Sequence, residues 1–331
     1  MIIVHRSTEG RREGEQIIDG RQLVASESIP KDVLWIDLLE PTRDEDRLVE
    51  NFLGISIPTR EEMQDIEPSE LLYLENDARY LTARLVYAAE SDNPLLTGVT
   101  FILKDRVIVT VRYADPRAFA MFAQRASKPG ACGPTPEQVL AGLVDAIVDR
   151  AADVLQMAGE NIDTLSNQIF QAKREAHRRT ADYQRTLKLL GHYGSLISKQ
   201  RESLVSVERL LLFVATAYRS AKVPPGMRED VRTTLRDVQS LEEHASFQSG
   251  KIQFLLDATL GLVNLEQNNI IKLFSVMAVV FMPPTLIASI YGMNFKVMPE
   301  LDWTFGYPMA LVGMVVAAIM PYFFFRWKKW L

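Results

Sequence analysis

Near the C-terminal end of this sequence, side chains carrying oxygen and nitrogen recur at helical spacing within an otherwise apolar run. Taking about 100° per residue from Asn268, the positions Asn268, Ile271, Ser275, Ala278, Met282, Thr285 and Ser289 fall within one arc of about 100°. That arc gathers the aliphatic hydroxyls and the nearby amide, while Leu273, Met277, Val280 and Ile287 lie opposite. Such groups form hydrogen bonds without net charge. A stripe of them either packs one helix against another, as small and hydroxylated residues do in membranes, or faces a shared aqueous axis built from several copies. Pro283 and Pro284 suit both cases, because each removes a backbone donor and leaves the carbonyls near Val279 and Val280 to find other partners. The run ends in Tyr291-Gly292-Met293-Asn294; a bare Gly-x-Asn reads as a helix C-cap and turn.

The stripe lies in one of two segments long enough to cross a bilayer. Between Lys272 and Lys296 are 23 residues without formal charge, and between Asp302 and Arg326 another 23. A helix needs roughly 20 residues to span a hydrocarbon core of about 30 Å. The spacing therefore predicts a hairpin of spans, 273–291 and 303–325, joined by the short segment 292–302. Arg326, Lys328 and Lys329 follow the second span and Lys272 precedes the first, whereas the connecting segment sets Glu300 and Asp302 against Lys296. The positive-inside tendency places both termini in the cytoplasm. Tyr291, Trp303 and Tyr307 mark one interface and Tyr322, Trp327 and Trp330 the other. Two helices cannot enclose an aqueous path alone, so a pore requires several copies.

Upstream, Val231, Leu235, Val238, Leu241, Ala245, Ile252, Leu256 and Val263 recur at mostly three- and four-residue steps, and no proline interrupts Gly226 to Met282. A continuous helix from about 228 to 290 would be roughly 90 Å long. It reads as a stalk, with a coiled-coil anchor as the alternative. Residues 1–127 alternate strand and helix patterns. Strand-like runs are Val33–Leu38, Tyr80–Ala88, Val99–Leu103 and Val107–Arg112, with Lys104-Asp105-Arg106 as a hairpin turn. Thr42 with Glu45, and Thr59 with Glu62, have capping-box spacing. A Gly/Pro linker at 128–136 precedes an antiparallel helix pair in 137–222. The expected fold is thus an α/β cytoplasmic domain, an all-α stalk and a two-helix transmembrane hairpin, ending in a basic tail at 326–331.

Other chemistries find little support. Formal charge is −5, which offers no broad basic surface for nucleic acid. The single cysteine, Cys132, excludes an internal disulfide and reads as an inert linker thiol. His5, His177, His192 and His244 are scattered, and no Walker, HExxH or GxSxG motif occurs, so no enzyme is indicated. The acidic run 61–67 and the basic cluster 173–179 read as solvated helix faces. The N-terminal MIIVHRSTEGRREGE has no apolar core of signal-peptide length, which keeps the first domain in the cytoplasm.

The whole arrangement resembles the CorA family of magnesium channels. The likeness runs from about Arg236 to Leu331, through RDVQSL, NLEQNNIIKLFSVMAVVFMPPTLIASIYGMNF, MPELDWTFGYP and the basic tail; WIDLLEPT (35–42) adds a looser match. The resemblance implies a funnel-shaped homopentamer in the plasma or inner membrane that carries Mg2+, with Co2+ or Ni2+ as passengers and no organic cofactor. It implies a selectivity ring at Gly292, Met293 and Asn294. Asn268, Ile271, Phe274, Met282 and Thr285 match pore-lining positions, Phe274 lying at the edge of the polar arc. It further implies a regulatory Mg2+ held between subunits by Asp237, with Asp92 as the candidate partner acid. Glu300 and Asp302 would concentrate cations near the mouth. The rival within the superfamily is a zinc or other transition-metal transporter, against which Met293 and the lack of His or Cys in both spans weigh. The rival from another class is a membrane-anchored sensor.

Overall fold

A computed structural model describes residues 1–9, 16–23, 27–65, 67–171, 180–220, 223–294, 298–299 and 303–328. The basic cluster 173–179 and the acidic pair Glu300 and Asp302 lie outside the described residues. The chain divides into two compact units, Met1–Leu256 and Asp257–Leu331.

The first unit is built on a seven-stranded sheet of β1 (Ile2–Glu9), β2 (Gln16–Gln22), β3 (Val33–Leu39), β4 (Leu72–Glu75), β5 (Ala78–Tyr87), β6 (Leu95–Lys104) and β7 (Val107–Arg112), in the order β2-β1-β3-β7-β6-β5-β4. Every neighbouring pair is antiparallel except β3 with β7. That parallel pair lies centrally, and all six residues of β7 are buried, as expected for strands covered on both faces. Asn76 and Asp77 both take positive φ in the β4–β5 turn, a conformation their short polar side chains tolerate.

Helices cover the sheet. On one side, Ile36 and Leu38 of β3 and Val107, Val109 and Val111 of β7 share a core with Val49 of α1 (Arg43–Leu53) and Met63. Thr42 and Glu45 form the capping box at the start of α1, and Gly54 ends it in the left-handed conformation. Thr59 and Glu62 make the same reciprocal bonds but open only a single turn, Glu62–Gln64, before Asp65 turns extended. A four-residue turn of helix, α2 (Pro68–Leu71), follows. On the other side stand α3 (Arg117–Ala126), α4 (Pro136–Gln171) and α5 (Thr180–Ser220), with α3 against α4 and α5 against β5.

The alternate residues of β3 and β7 point to this second side and carry a buried polar network. The Arg112 guanidinium donates from Nη2 to Asp37 Oδ2 at 2.8 Å and from Nε to Oδ1 at 3.0 Å. Thr110 Oγ1 donates to Asp37 Oδ1 at 2.7 Å, and Trp35 Nε1 donates to Thr110 Oγ1 at 2.9 Å. Arg112 also pairs with Asp115 and lies 4.6 Å above the Phe119 ring. With Asp37 2% exposed and Arg112 5% exposed, each charge depends on the other for compensation.

The sixth helix, α6, runs without interruption from Met227 to Tyr291, and α7 covers Gly306–Trp327. At about 1.5 Å per residue, α6 is on the order of 100 Å long. Its first part packs in the α/β unit, burying Val231, Val238, Ala245 and Ile252.

Candidate functional site

The last part of α6 and all of α7 form the second unit. Both helices are long and apolar enough to cross a membrane, with almost none of their apolar windows buried. The more shielded positions trace narrow stripes. On α6 they are Val276, Val280, Pro283, Pro284, Ile287 and Tyr291; on α7 they are Gly306, Ala310, Gly313, Met314, Ala317, Ala318, Pro321 and Phe325. The α7 stripe has the small-residue spacing that lets helix backbones approach within a bilayer.

The polar arc of α6 does not coincide with its shielded stripe. Asn268, Ile271, Phe274, Ser275, Ala278, Met282, Thr285 and Ser289 are all exposed. Within one chain these groups are therefore not used for packing, although apolar neighbours such as Leu273 and Leu286 are exposed as well. The Thr285 hydroxyl donates to the Phe281 carbonyl at 2.6 Å, so its oxygen lone pairs remain as acceptors. The helix continues through Pro283 and Pro284.

At the end of α6, Gly292 N donates to the Ala288 carbonyl at 2.9 Å and Met293 N to the Ile290 carbonyl at 3.2 Å. A Cβ at Gly292 would stand 3.1 Å from the Ala288 oxygen, closer than ordinary van der Waals contact. Gly292, Met293 and Asn294 are exposed. The side-chain amide of Asn294 thus follows directly on a helix C-terminus, where the negative end of the helix dipole favours cations. Sequence reasoning passes over Ala288 and Ile290, which fix this turn through backbone carbonyls and leave no side-chain signal.

The two candidate regulatory acids sit in the first unit. Asp237 is exposed on α6. Asp92 is exposed in the loop between β5 and β6, whose backbone α5 clamps: His192 Nδ1 lies 3.2 Å from the Asp92 carbonyl oxygen, and Lys199 donates to the Pro94 carbonyl. In the same loop Glu90 pairs with Arg117 at 3.0 Å and with Arg150. The Arg150 hydrogen bond holds its carboxyl below the usual glutamate range, and Arg117 adds to the effect. Among the described residues, no group of three or more His, Cys, Asp or Glu side chains is placed to hold a metal.

An α/β domain, one very long helix and two exposed apolar stretches each long enough to cross a bilayer fit a two-span membrane protein. A family model described as "CorA-like Mg2+ transporter protein" matches residues 30–329, and the chain belongs to that family. It is 36% identical over 311 residues to the magnesium transport protein CorA of Escherichia coli, covering 94% of this chain and 96% of that one. It is also 36% identical over 300 residues to the magnesium transport protein CorA of Salmonella typhimurium, covering 91% and 92%. The complete structure of the CorA magnesium transporter from Methanocaldococcus jannaschii superposes with a TM-score of 0.73 at 17% identity, covering 100% of this chain and 99% of that one.

Proposed function

We propose that this protein is a Mg2+ channel, assembled as a homopentamer, with both termini in the cytoplasm and the polar arc of α6 lining its pore. The observation that carries the reading is the exposed arc ending in Gly292-Met293-Asn294, on a chain whose relatives are magnesium transport proteins. Mg2+ is small and dehydrates reluctantly, so it tends to keep its waters. A ring of Asn294 amide oxygens accepts hydrogen bonds from those waters without stripping them. Carboxylates in the same place would bind more tightly and slow release. Ser275, Thr285, Ser289 and Asn268 supply further acceptors along the path, and Ile271, Phe274 and Met282 form apolar constrictions able to gate by dewetting. Glu300 and Asp302 raise the cation concentration outside, an effect that salt weakens. Co2+ and Ni2+ pass by the same route. Neither nucleotide nor organic cofactor takes part, and no reaction is catalysed.

Regulation is read as negative feedback. Asp237 of one subunit and Asp92 of the next bind cytoplasmic Mg2+ and hold the assembly closed; without it, like charges face one another and loosen the contact. That no single chain gathers three ligating side chains among the described residues suits a site shared between subunits. In liposomes loaded with millimolar Mg2+, Asp237→Asn is expected to keep the initial uptake several-fold faster than wild type, the two converging when internal Mg2+ is removed. Equal inhibition of both proteins by internal Mg2+ would rule Asp237 out.

A further inference from the structure

The starts of α4 and α6 and the end of α5 meet around one small cavity. Glu137 and Val144 of α4, Leu210 and Tyr218 of α5, and Val231 and Thr234 of α6 are on its wall. It leaves about 10 Å3 for the centre of a water molecule, close to the space that a single water requires. Most of the wall is apolar, but Tyr218 brings a polar group to it. That residue is only 2% exposed, and its hydroxyl is buried with no hydrogen-bond partner among the described residues. Its backbone is held in place, because Arg228 Nε donates to the Tyr218 carbonyl at 2.8 Å and ties the end of α5 to the start of α6.

A buried hydroxyl left without a partner is costly, and the chemistry of the wall shows how the cost is avoided. Burial pushes the Tyr218 phenol above its ordinary value, the Glu137 carboxylate adds to the shift, and Arg79 opposes it. The hydroxyl therefore keeps its proton at neutral pH and is a donor. The other two polar side chains of the wall are acceptors. Glu137 offers a carboxylate. Thr234 Oγ1 has its hydrogen committed to Asp145 Oδ1 at 3.1 Å or to the Asp230 carbonyl at 3.0 Å, which leaves its lone pairs. A water that accepts from Tyr218 and gives its two hydrogens to Glu137 and Thr234 makes three hydrogen bonds, the usual number for a buried water.

We propose that this cavity is a binding site for one ordered water, which joins Glu137, Tyr218 and Thr234 and so pins α4, α5 and α6 together where α5 turns into α6.

A structure of the full-length protein that shows ordered solvent tests the site directly. It is expected to place one water within about 3.2 Å of an oxygen of all three side chains. A dry cavity, or a Tyr218 hydroxyl turned straight onto Glu137, overturns the proposal. Urea unfolding of the detergent-solubilised protein reads the same site through stability. Tyr218→Phe removes only the hydroxyl and is expected to raise the unfolding equilibrium constant about fivefold, the loss of one ordinary hydrogen bond. A dry, orphaned hydroxyl predicts the opposite sign, since its removal relieves an unmet donor. Thr234→Val is expected to cost less in the Tyr218→Phe background than in wild type, because both side chains hold the same water. Strictly additive costs overturn the shared water, and a stabilised Tyr218→Phe overturns the site altogether.

Discussion

Replacing Asn294 by alanine is expected to cut Mg2+ uptake into liposomes by roughly tenfold or more while leaving the assembly intact. Each amide oxygen lost removes a hydrogen bond to a water of the hydrated ion, worth about 1 kcal/mol net, and about 1.4 kcal/mol corresponds to a factor of ten. In a ring of copies several bonds disappear together. The fold should tolerate the change, because Asn294 is exposed and lies beyond the end of α6. Dye-reported uptake, with size-exclusion chromatography as the control for assembly, measures both. Uptake by an intact Asn294→Ala assembly at the wild-type rate would remove Asn294 from the pathway.

The second large effect concerns stability. Arg112→Ala is expected to destabilise the α/β domain by about 3–5 kcal/mol, because it leaves the Asp37 carboxylate buried without its cation. That is a large share of the stability of an ordinary domain. Unfolding of the detergent-solubilised protein by urea measures the loss. A double variant, Asp37→Leu with Arg112→Met, should recover much of it, since apolar residues carry no uncompensated charge. If Arg112→Ala unfolds at the wild-type urea concentration, the pair contributes nothing.

Much of the architecture is legible in the sequence because it rests on local pattern. Apolar positions three and four apart, without proline, predict one helix over about 228–290, and α6 covers Met227–Tyr291. The second span reads as 303–325, whereas α7 begins at Gly306. Trp303 instead belongs to the entering turn, its carbonyl accepting from Gly306 N at 2.9 Å. The strands that go unread are β1, β2 and β4. Each lacks a sustained apolar run: His5, Arg6 and Ser7 interrupt β1, Asp19, Gly20 and Arg21 interrupt β2, and β4 has only four residues. Their strand state depends on partners distant in sequence. The parallel register of Asp37 with Thr110 is likewise invisible locally, as is the polar network it assembles. The Thr59–Glu62 pattern correctly marks a cap, but a cap cannot lengthen a segment with no apolar face to bury.

At the candidate site, the polar arc follows from helical periodicity, and its exposure within one chain follows from the structure. What the chain alone leaves open is which surfaces meet in the assembly. Asp92 and Asp237 illustrate this, for both are exposed and sit on different elements.

The most direct test of the central claim is uptake by the purified protein in liposomes loaded with a Mg2+-sensitive dye, with Zn2+ followed in parallel. The account predicts rapid Mg2+ entry without added nucleotide. Zn2+ entry without Mg2+ entry, or no flux of either ion through correctly assembled protein, would contradict it.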